Sequence, residues 1–201
     1  VGTSYIVKEM SKSDHATLLE IAGSYAQHIQ GGDTVLCPIY AHFQDRASGR
    51  LFFAMRNSIG PGPFAALYDL KGCADDKLLE RSGEPIKAVH KRIWNARMWL
   101  GQTAWSPERK LYHSGKVEAR SVDIGMTAEL REKCLQCIER DTKWLAQLAL
   151  MDYSLLVAIK EVGGDRQASA APAGAFRFAN AEGRTLEVSI AIIDFLQKWT
   201  T

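Results

Sequence analysis

Alternation of apolar and polar residues opens the chain, and a longer helical pattern follows it. Residues 4–10 alternate in the way that predicts a β-strand. In residues 14–30 the apolar side chains recur every three or four positions, which indicates an amphipathic helix. Ser11 or Ser13 can cap the start of this helix, and Gly31-Gly32 ends it. The pattern therefore predicts a strand that leads almost directly into a helix.

Short apolar runs between turn residues predict a small sheet next. Residues 34–43 and 51–56 are strand candidates, and the Arg-Ala-Ser-Gly segment at 46–49 predicts the hairpin turn that joins them. The segment Gly60-Pro61-Gly62-Pro63 breaks the regular structure. Residues 68–71 then resume as a short strand.

The second half of the chain predicts one long helix and several closing strands. Apolar residues at helical spacing indicate a helix over residues 128–150. Strands are predicted at 153–160, 176–178 and 186–195. Residues 163–174 are rich in Ala, Gly, Ser and Pro and predict a mobile loop. Residues 72–125 are basic and aromatic, and their pattern is the least regular of the chain.

Two of the four cysteines form a C-x-x-C pair, Cys134 and Cys137, which is a pattern shared by zinc and redox sites. Both lie in the long predicted helix, three positions apart, and therefore share its apolar stripe. No second C-x-x-C or cysteine–histidine pair completes a tetrahedral site. We interpret the two thiols as small buried hydrophobic groups.

Composition narrows the class of protein. Of the 201 residues, 46% are hydrophobic and 24% are charged, and the formal net charge is +2. These values predict a soluble globular protein and exclude a nucleic-acid binder that relies on bulk positive charge. No apolar run reaches the roughly 18 residues that a membrane span needs. No signal-peptide pattern begins at Val1.

Three kinds of side chain that phosphoryl transfer requires are present in the chain. The reaction needs a strand lysine for the nucleotide phosphates, a carboxylate near the acceptor hydroxyl and a carboxylate for magnesium. Lys8 lies on a predicted strand before a helix, where a helix acid such as Asp14 or Glu20 can pair with it. The alternative is an ordinary solvated lysine on an edge strand.

Two acids lie beside apolar runs. Asp152 precedes Leu155-Leu156-Val157, and Asp194 ends the apolar run of residues 188–193. An acid in such a place is costly to bury without a purpose or a partner, although a carboxylate that caps a turn is the alternative. Lys71 follows Asp69 by two residues, so on a strand both side chains share a face. They form either a salt bridge or a pair that faces phosphates.

Several familiar nucleotide-binding motifs are absent from the sequence. No P-loop of the type G-x-x-x-x-G-K-[ST] occurs. There is no His-Arg-Asp with an Asn five positions after the Asp, and there is no Asp-Phe-Gly. An ordinary protein kinase is therefore disfavoured.

Three acidic segments in order nevertheless resemble the signature segments of the phosphatidylinositol phosphate kinases. They are Tyr68-Asp69-Leu70-Lys71-Gly72, Met151-Asp152-Tyr153-Ser154-Leu155-Leu156 and Ile192-Ile193-Asp194-Phe195-Leu196-Gln197. Tyr5-Ile6-Val7-Lys8 resembles the family's ATP-lysine strand, and Arg140-Asp141 in the long helix also fits. The resemblance covers nearly the whole chain.

This resemblance implies ATP and Mg²⁺ as cofactors and assigns roles to individual residues. The residues implied to bind the nucleotide are Lys8, Met55, Asn57 and Lys71. Asp152 is implied to be the base that activates the acceptor hydroxyl, and Lys71 is implied to be a second catalytic residue. Asp194 is implied to be the metal ligand.

Some features depart from the family pattern. Cys73 replaces the serine that ends the first signature segment, and residues 84–125 lack the usual Lys-Asp-x-Asp stretch. In the family a glycine-rich strand pair precedes the ATP lysine and an activation segment follows the magnesium acid. Neither is found between Val1 and Thr201. The chain is therefore either a trimmed core or a divergent member of the family. Cys73 and the different sequence of residues 84–125 favour a further alternative, an inactive relative that binds nucleotide or lipid as a scaffold.

The resemblance predicts an α+β fold with two lobes, distantly like the protein kinases. Residues 1–57 would form the N-lobe and residues 58–201 the C-lobe. The predicted reaction transfers the γ-phosphoryl group of ATP to phosphatidylinositol 4-phosphate at its 5-hydroxyl. Phosphatidylinositol 5-phosphate 4-kinase and 3-phosphate 5-kinase activities are the alternatives within the family.

The predicted partner is a phosphoinositide lipid at an anionic membrane surface. The protein would be cytoplasmic and peripheral on the cytosolic face, with a homodimer as an option and no nucleic acid. One basic and aromatic region predicts contact with the bilayer, and the alternative is a solvated loop with inward-facing tryptophans. Its residues are Lys87, Lys91, Arg92, Trp94, Arg97, Trp99, Trp105, Arg109 and Lys110.

Overall fold

Helices and strands mix along the chain, so the α+β prediction is confirmed. The computed structural model describes residues 4–89, 100–101, 105–163 and 174–199. The helices there are α1 (Lys12–Gln30), α2 (Pro107–Ala119) and α3 (Ala128–Gln147). The strands are β1 (Tyr5–Met10), β2 (Ile39–Gln44), β3 (Leu51–Arg56), β4 (Ala66–Leu70), β5 (Lys77–Arg81), β6 (Glu84–Pro85), β7 (Leu150–Met151), β8 (Ser154–Glu161), β9 (Ala175–Ala179), β10 (Thr185–Ile193) and β11 (Gln197–Lys198).

The strands form three antiparallel sheets. A three-stranded sheet has the order β1-β3-β2, and a six-stranded sheet has the order β6-β5-β4-β8-β10-β9. The short strands β7 and β11 pair with each other. The first sheet therefore uses only the N-terminal part of the chain, and the second begins after the Gly-Pro break at residues 60–63.

The start of α1 shows which serine is the helix cap. The Ser11 hydroxyl accepts a hydrogen bond from the Asp14 backbone N at 3.1 Å, and the Asp14 carboxylate accepts one from the Ser11 N at 3.3 Å. This reciprocal pair is a capping box. Leu18, Ile21 and Tyr25 lie on the buried face of α1. The apolar periodicity thus predicted both the helix and its inner face.

The two thiols of the C-x-x-C pair are buried on α3, as the helical pattern predicts. Cys134 is 4% exposed and Cys137 is 9% exposed. Loss of solvent raises the pKa of both thiols, which keeps them protonated at neutral pH. They belong to one continuous hydrophobic core that includes Leu36, Leu145 and Ile192.

The strand predicted at residues 34–43 is wrong in its first half, because β2 begins only at Ile39. Leu36 instead forms an isolated parallel bridge with Ile192 of β10. The Ile192 N donates to the Val35 O at 2.6 Å, and the Cys37 N donates to the Ile192 O at 2.9 Å. This linker segment, residues 34–38, therefore connects the six-stranded sheet to the three-stranded one.

A buried carboxylate holds the start of the linker segment. Asp141 on α3 is 0% exposed. Its carboxylate accepts hydrogen bonds from the Thr34 hydroxyl at 2.8 Å, the Val35 N at 2.7 Å and the Leu36 N at 3.1 Å. The His28 Nε2 lies 2.6 Å from its other oxygen. A buried charge is tolerated when it is satisfied in this way.

Parts of two predicted regions lie outside the described residues. Residues 164–173 of the predicted mobile loop are among them, as are Lys91, Arg92, Trp94, Arg97 and Trp99 of the basic region. Elsewhere in the least regular part of the sequence, the structure contains β5, β6 and α2.

Two helix glycines in opposite surroundings provide a test of the packing. Gly23 on α1 has nothing near the position of an added Cβ, whereas a Cβ on Gly115 of α2 would lie 3.1 Å from the Leu78 Cβ. We expect Gly23→Ala to raise the free energy of unfolding by about 0.5–1 kcal/mol, because alanine restricts the unfolded chain. Gly115→Ala should raise the free energy of unfolding by less than this or lower it, as measured by urea denaturation. Equal gains would contradict the close packing of α2 on β5.

Candidate active site

Three strands of the six-stranded sheet bring candidate residues to one edge. In the register, Leu70 at the end of β4 is opposite Leu155 of β8, and Ser154 at the start of β8 is opposite Ile193 at the end of β10. The residues just beyond these strand ends are Lys71, Asp152 and Asp194. Because neighbouring strands run antiparallel, all three residues emerge at the same edge.

A second pairing joins the two acid loops. Met151 of β7 is opposite Gln197 of β11, and Leu150 is opposite Lys198. Asp152 directly follows β7, and Asp194 lies shortly before β11. The backbone on one side of each acid is therefore anchored in the large sheet, and the backbone on the other side is anchored in the small one.

Both acids have left-handed backbone conformations. The φ angle is 58° at Asp152 and 59° at Asp194. Residues other than glycine rarely adopt positive φ, although Asp tolerates it better than most. Such conformations persist where the surrounding structure imposes them, and they concentrate at functional sites. Here each of the two acids lies between paired strands, which restrain the backbone on both sides of it.

Lys8 reaches the same place from the three-stranded sheet. It lies on β1 opposite Phe53 of β3. A cavity of about 250 Å³ is lined by Lys8, Lys71, Asp152 and Asp194. The other residues that line it are Glu9, Asp14, Cys37, Ile39, Phe53, Met55, Ile193, Phe195, Leu196 and Gln197. The structure thus brings the predicted lysines and acids together at one cavity.

The four charged side chains form two ion pairs. The Lys8 Nζ lies 2.5 Å from the Asp194 Oδ1. Lys71 pairs with the Asp152 carboxylate and also donates to the Asp152 O at 3.3 Å. The Lys71 Nζ donates a hydrogen bond to the Asp152 carboxylate, and this bond is the largest of the causes that raise the pKa of Lys71. About half of each acid side chain is exposed, so solutes can reach both carboxylates.

These pairings differ from the partners considered in the sequence. Lys8 pairs with Asp194 and not with an acid of α1. Asp14 belongs to the capping box of α1, and the Glu20 carboxylate lies 2.5 Å from the Lys198 Nζ. Lys71 does not pair with its neighbour Asp69, whose carboxylate lies 3.8 Å from the Lys77 Nζ.

Met55 and Asn57, both predicted to bind the nucleotide, differ in their position relative to the cavity. Met55 lines the cavity from β3. Asn57 follows the end of β3, and its backbone N donates to the Ser4 O at 2.8 Å. Among the residues described, Asn57 is not part of the cavity lining.

Asp76 is a residue of this site that sequence reasoning missed. It is 7% exposed, and its carboxylate accepts from the backbone N of Lys71 at 2.6 Å, of Gly72 at 2.9 Å and of Cys73 at 3.4 Å. It therefore fixes the loop that presents Lys71. The available signal was an acid shortly after a glycine-containing turn, since aspartate often binds nearby backbone N–H groups.

The apolar wall of the cavity was missed as well. Cys37, Ile39 and Phe53 line it beside Met55. Burial raises the pKa of the Cys37 thiol, whose Sγ donates to the Arg56 O at 3.2 Å. The alternation within the 51–56 strand was the available signal for Phe53, because Phe53 and Met55 share a face.

The oxygen donors of the cavity suit a hard cation that also contacts phosphate. Mg²⁺ is usually bound by one or two carboxylates together with substrate phosphates and water. Asp194 supplies one half-exposed carboxylate, and the Lys8 ammonium group already lies against it as a cation. In the described ranges, no cluster of three or more His, Cys, Asp or Glu side chains is placed to hold a metal by itself. The donor set therefore fits a cation that phosphate oxygens help to hold.

A strand lysine, a loop lysine and two carboxylates at one cavity make up the kind of site that phosphoryl-transfer proteins use. The sequence model of the phosphatidylinositol-4-phosphate 5-kinase family matches residues 2–185. The chain belongs to this family, and the recognition made from the three signature segments is confirmed. The matched residues include Lys8, Lys71 and Asp152 and end before Asp194.

A curated relative has a similar sequence. The phosphatidylinositol 5-phosphate 4-kinase type-2 gamma of Danio rerio is 26% identical over 175 residues. The alignment covers 82% of this chain and 37% of the relative. The chain therefore spans little more than a third of the length of this relative.

The left-handed acids lead to a prediction about stability. The free energy of unfolding of Asp194→Ala, measured by urea denaturation, should be about 1 kcal/mol lower than that of Asp194→Gly, because a Cβ is disfavoured at positive φ. Asp194→Asn should fall between them. Both Ala and Gly remove the ion pair with Lys8, so their difference isolates the backbone. Equal stability of the Ala and Gly variants would show that the backbone at residue 194 is not constrained in this way.

Proposed function

We propose that this chain is the catalytic core of a phosphatidylinositol phosphate kinase, which transfers the γ-phosphoryl group of ATP to a phosphoinositide hydroxyl. The observation that carries the proposal is the convergence of Lys8, Lys71, Asp152 and Asp194 on one cavity. Residues 1–57 would act as an N-lobe and residues 58–201 as a C-lobe, with the nucleotide between them. Family membership supports this reading.

The nucleotide would lie against the three-stranded sheet. Ile39, Phe53 and Met55 offer an apolar wall for the adenine. Asn57, which follows β3 outside this lining, stays a proposed polar contact on the strength of the family resemblance alone. Lys8 would bind the phosphates and exchange its present partner, Asp194, for phosphate oxygens. Mg²⁺ held by Asp194 together with the phosphates supplies the neutralisation of charge that this reaction needs.

Asp152 and Lys71 would act on the acceptor. The lipid hydroxyl oxygen forms a bond to the γ-phosphorus as the bond to the β–γ bridging oxygen breaks, and ADP leaves. Asp152 accepts the hydroxyl proton, and its half-exposed position allows the acceptor to approach. Lys71 stands beside Asp152 and can bind the transferred phosphoryl group as negative charge spreads over its oxygens.

The proposed substrate is phosphatidylinositol 4-phosphate, phosphorylated on its 5-hydroxyl. The name of the matched family supports this choice, whereas the relative from Danio rerio is named as a 5-phosphate 4-kinase. The 4-kinase and the 3-phosphate 5-kinase therefore stay as alternatives. An inactive scaffold is the other alternative, and Cys73 is the residue that favours it. The backbone N of Cys73 is nevertheless bound by Asp76, so the loop does not need a serine hydroxyl to keep its shape.

Substitution of Asp152 tests the catalytic assignment. We expect Asp152→Asn to lower phosphoryl transfer by roughly 10²-fold or more, because the amide cannot accept the proton. The measurement is transfer of labelled phosphate from ATP to vesicles that contain each of the three monophosphate isomers. Asp123→Asn is a matched control, since its carboxylate caps the Gly125 N outside the cavity. Near-normal turnover in Asp152→Asn would make Asp152 structural, and ATP binding without transfer in the wild type would favour the scaffold.

The protein would meet its lipid substrate at an anionic membrane surface on the cytosolic side. It would do so as a monomer or as a homodimer. No helix among the described residues is long and apolar enough to cross a bilayer. Of the predicted basic region, the described part includes Trp105, which is 37% exposed and stacks under the Arg109 guanidinium at 4.7 Å. Lys87 and Lys110, which belong to the same predicted basic region, are exposed.

Vesicle sedimentation tests the membrane proposal. We expect binding to phosphatidylserine-rich vesicles that weakens as salt rises, since each basic residue near the surface contributes roughly 1 kcal/mol. The double variant Lys87→Glu with Lys110→Glu should lose most of this binding. Lys12→Glu with Lys133→Glu carries the same change of charge on other exposed positions and should keep it. Equal loss in both variants would indicate non-specific attraction.

A further inference from the structure

A residue outside the cavity holds the linker segment, which in turn contacts β10 shortly before Asp194. Asp141 is fully buried and, among the described residues, is not part of the cavity lining. Three of its four polar contacts are with consecutive residues of the linker segment, Thr34, Val35 and Leu36. A carboxylate that only stabilised α3 would not need to bind a distant run of backbone N–H groups.

The linker segment transmits this restraint to the metal acid. Val35 and Cys37 exchange backbone hydrogen bonds with Ile192, two residues before Asp194. In the part of the chain that the structure describes, one isolated bridge pairs Leu36 of the linker with Ile192 of β10, so the geometry of this contact depends on what holds the linker. Cys37 and Ile193, on either side of the contact, both line the cavity.

The same segment also sets the position of the lysine sheet. Beyond the bridge, the Pro38 O accepts a hydrogen bond from the Arg56 N at 2.8 Å, and Ile39 of β2 pairs with Met55 of β3. β3 in turn pairs with β1, which carries Lys8. Movement of the linker would therefore change the spacing between Lys8 and Asp194, which lie 2.5 Å apart in the ion pair.

We propose that Asp141 is a positioning residue for phosphoryl transfer, which fixes Asp194 relative to Lys8 through residues 34–37. This inference rests on the proposed function. Asp141 would affect the reaction only through the positions of Asp194 and Lys8, and it would contact neither the nucleotide nor the lipid. Small displacements of a phosphoryl-transfer site are expensive in rate, since misplacement by about 1 Å can cost roughly 100-fold.

The test compares two destabilised variants. Asp141→Ala removes the acceptor for the linker N–H groups, and Leu78→Ala creates a cavity on β5 at a residue that is 1% exposed and outside the site. Assayed below both unfolding temperatures, Asp141→Ala should lower kcat roughly 10- to 100-fold with a smaller change in the KM for ATP. Leu78→Ala should keep kcat. Asp141→Asn should restore much of the rate, because its amide oxygen can accept from the Val35 and Leu36 N–H groups.

Hydrogen exchange supplies a readout that needs no turnover. The amides of Cys37 and Ile192 should exchange faster in Asp141→Ala than in Leu78→Ala, relative to a central amide such as that of Val157. If Asp141→Ala does not fold, Thr34→Val takes its place, and it should show the same effects to a smaller extent. Unchanged kcat and unchanged exchange at Cys37 and Ile192 would overturn the proposal. Absence of transfer in the wild type would instead count against the proposed function, since the exchange measurement tests the coupling separately.

Discussion

The antiparallel register of β4, β8 and β10 is the constraint on which the site depends. It places the end of one strand beside the start of the next, so Lys71, Asp152 and Asp194 meet although they are far apart in sequence. The hydrogen bonds of a sheet allow only whole-residue shifts, and a shift by one residue turns every side chain to the opposite face. The positions of the three groups are thus set by backbone pairing that spans the whole core.

Local periodicity was enough to predict most of the elements. The strand at residues 51–56 has the predicted bounds, and the helix predicted over 128–150 is α3, which ends at Gln147. Each of these segments carries its own apolar repeat, which tertiary contacts then reinforce. The prediction failed at residues 34–38, where Asp141 binds the backbone. That acid lies more than a hundred residues away, and no pattern within the segment reports its influence.

The candidate site was predicted in its members but not in its pairings. Lys71, Asp152 and Asp194 were predicted from the signature segments and Lys8 from its strand, and the structure gathers all four at one cavity. The partner of Lys8 was sought on α1, and it lies instead at the end of β10. Asp76 and Phe53 escaped notice because their importance comes from the loop and the wall that they build. The local patterns that could have indicated them, an acid after a glycine turn and the alternation of a strand, occur at many positions that have no part in a site.

The two lysine–carboxylate pairs make the four groups electrically balanced among themselves. A bound cation alone would displace an ammonium group from its acid, and a bound polyphosphate alone would draw a lysine from its carboxylate. Each event by itself leaves one charged side chain without its counterpart, which costs free energy in a partly enclosed cleft. On the proposed function, a metal–nucleotide complex would give Lys8 and Asp194 new partners in a single exchange. If the chain has the proposed function, the Lys8–Asp194 pair would favour a metal–nucleotide complex over either component, before any chemistry begins.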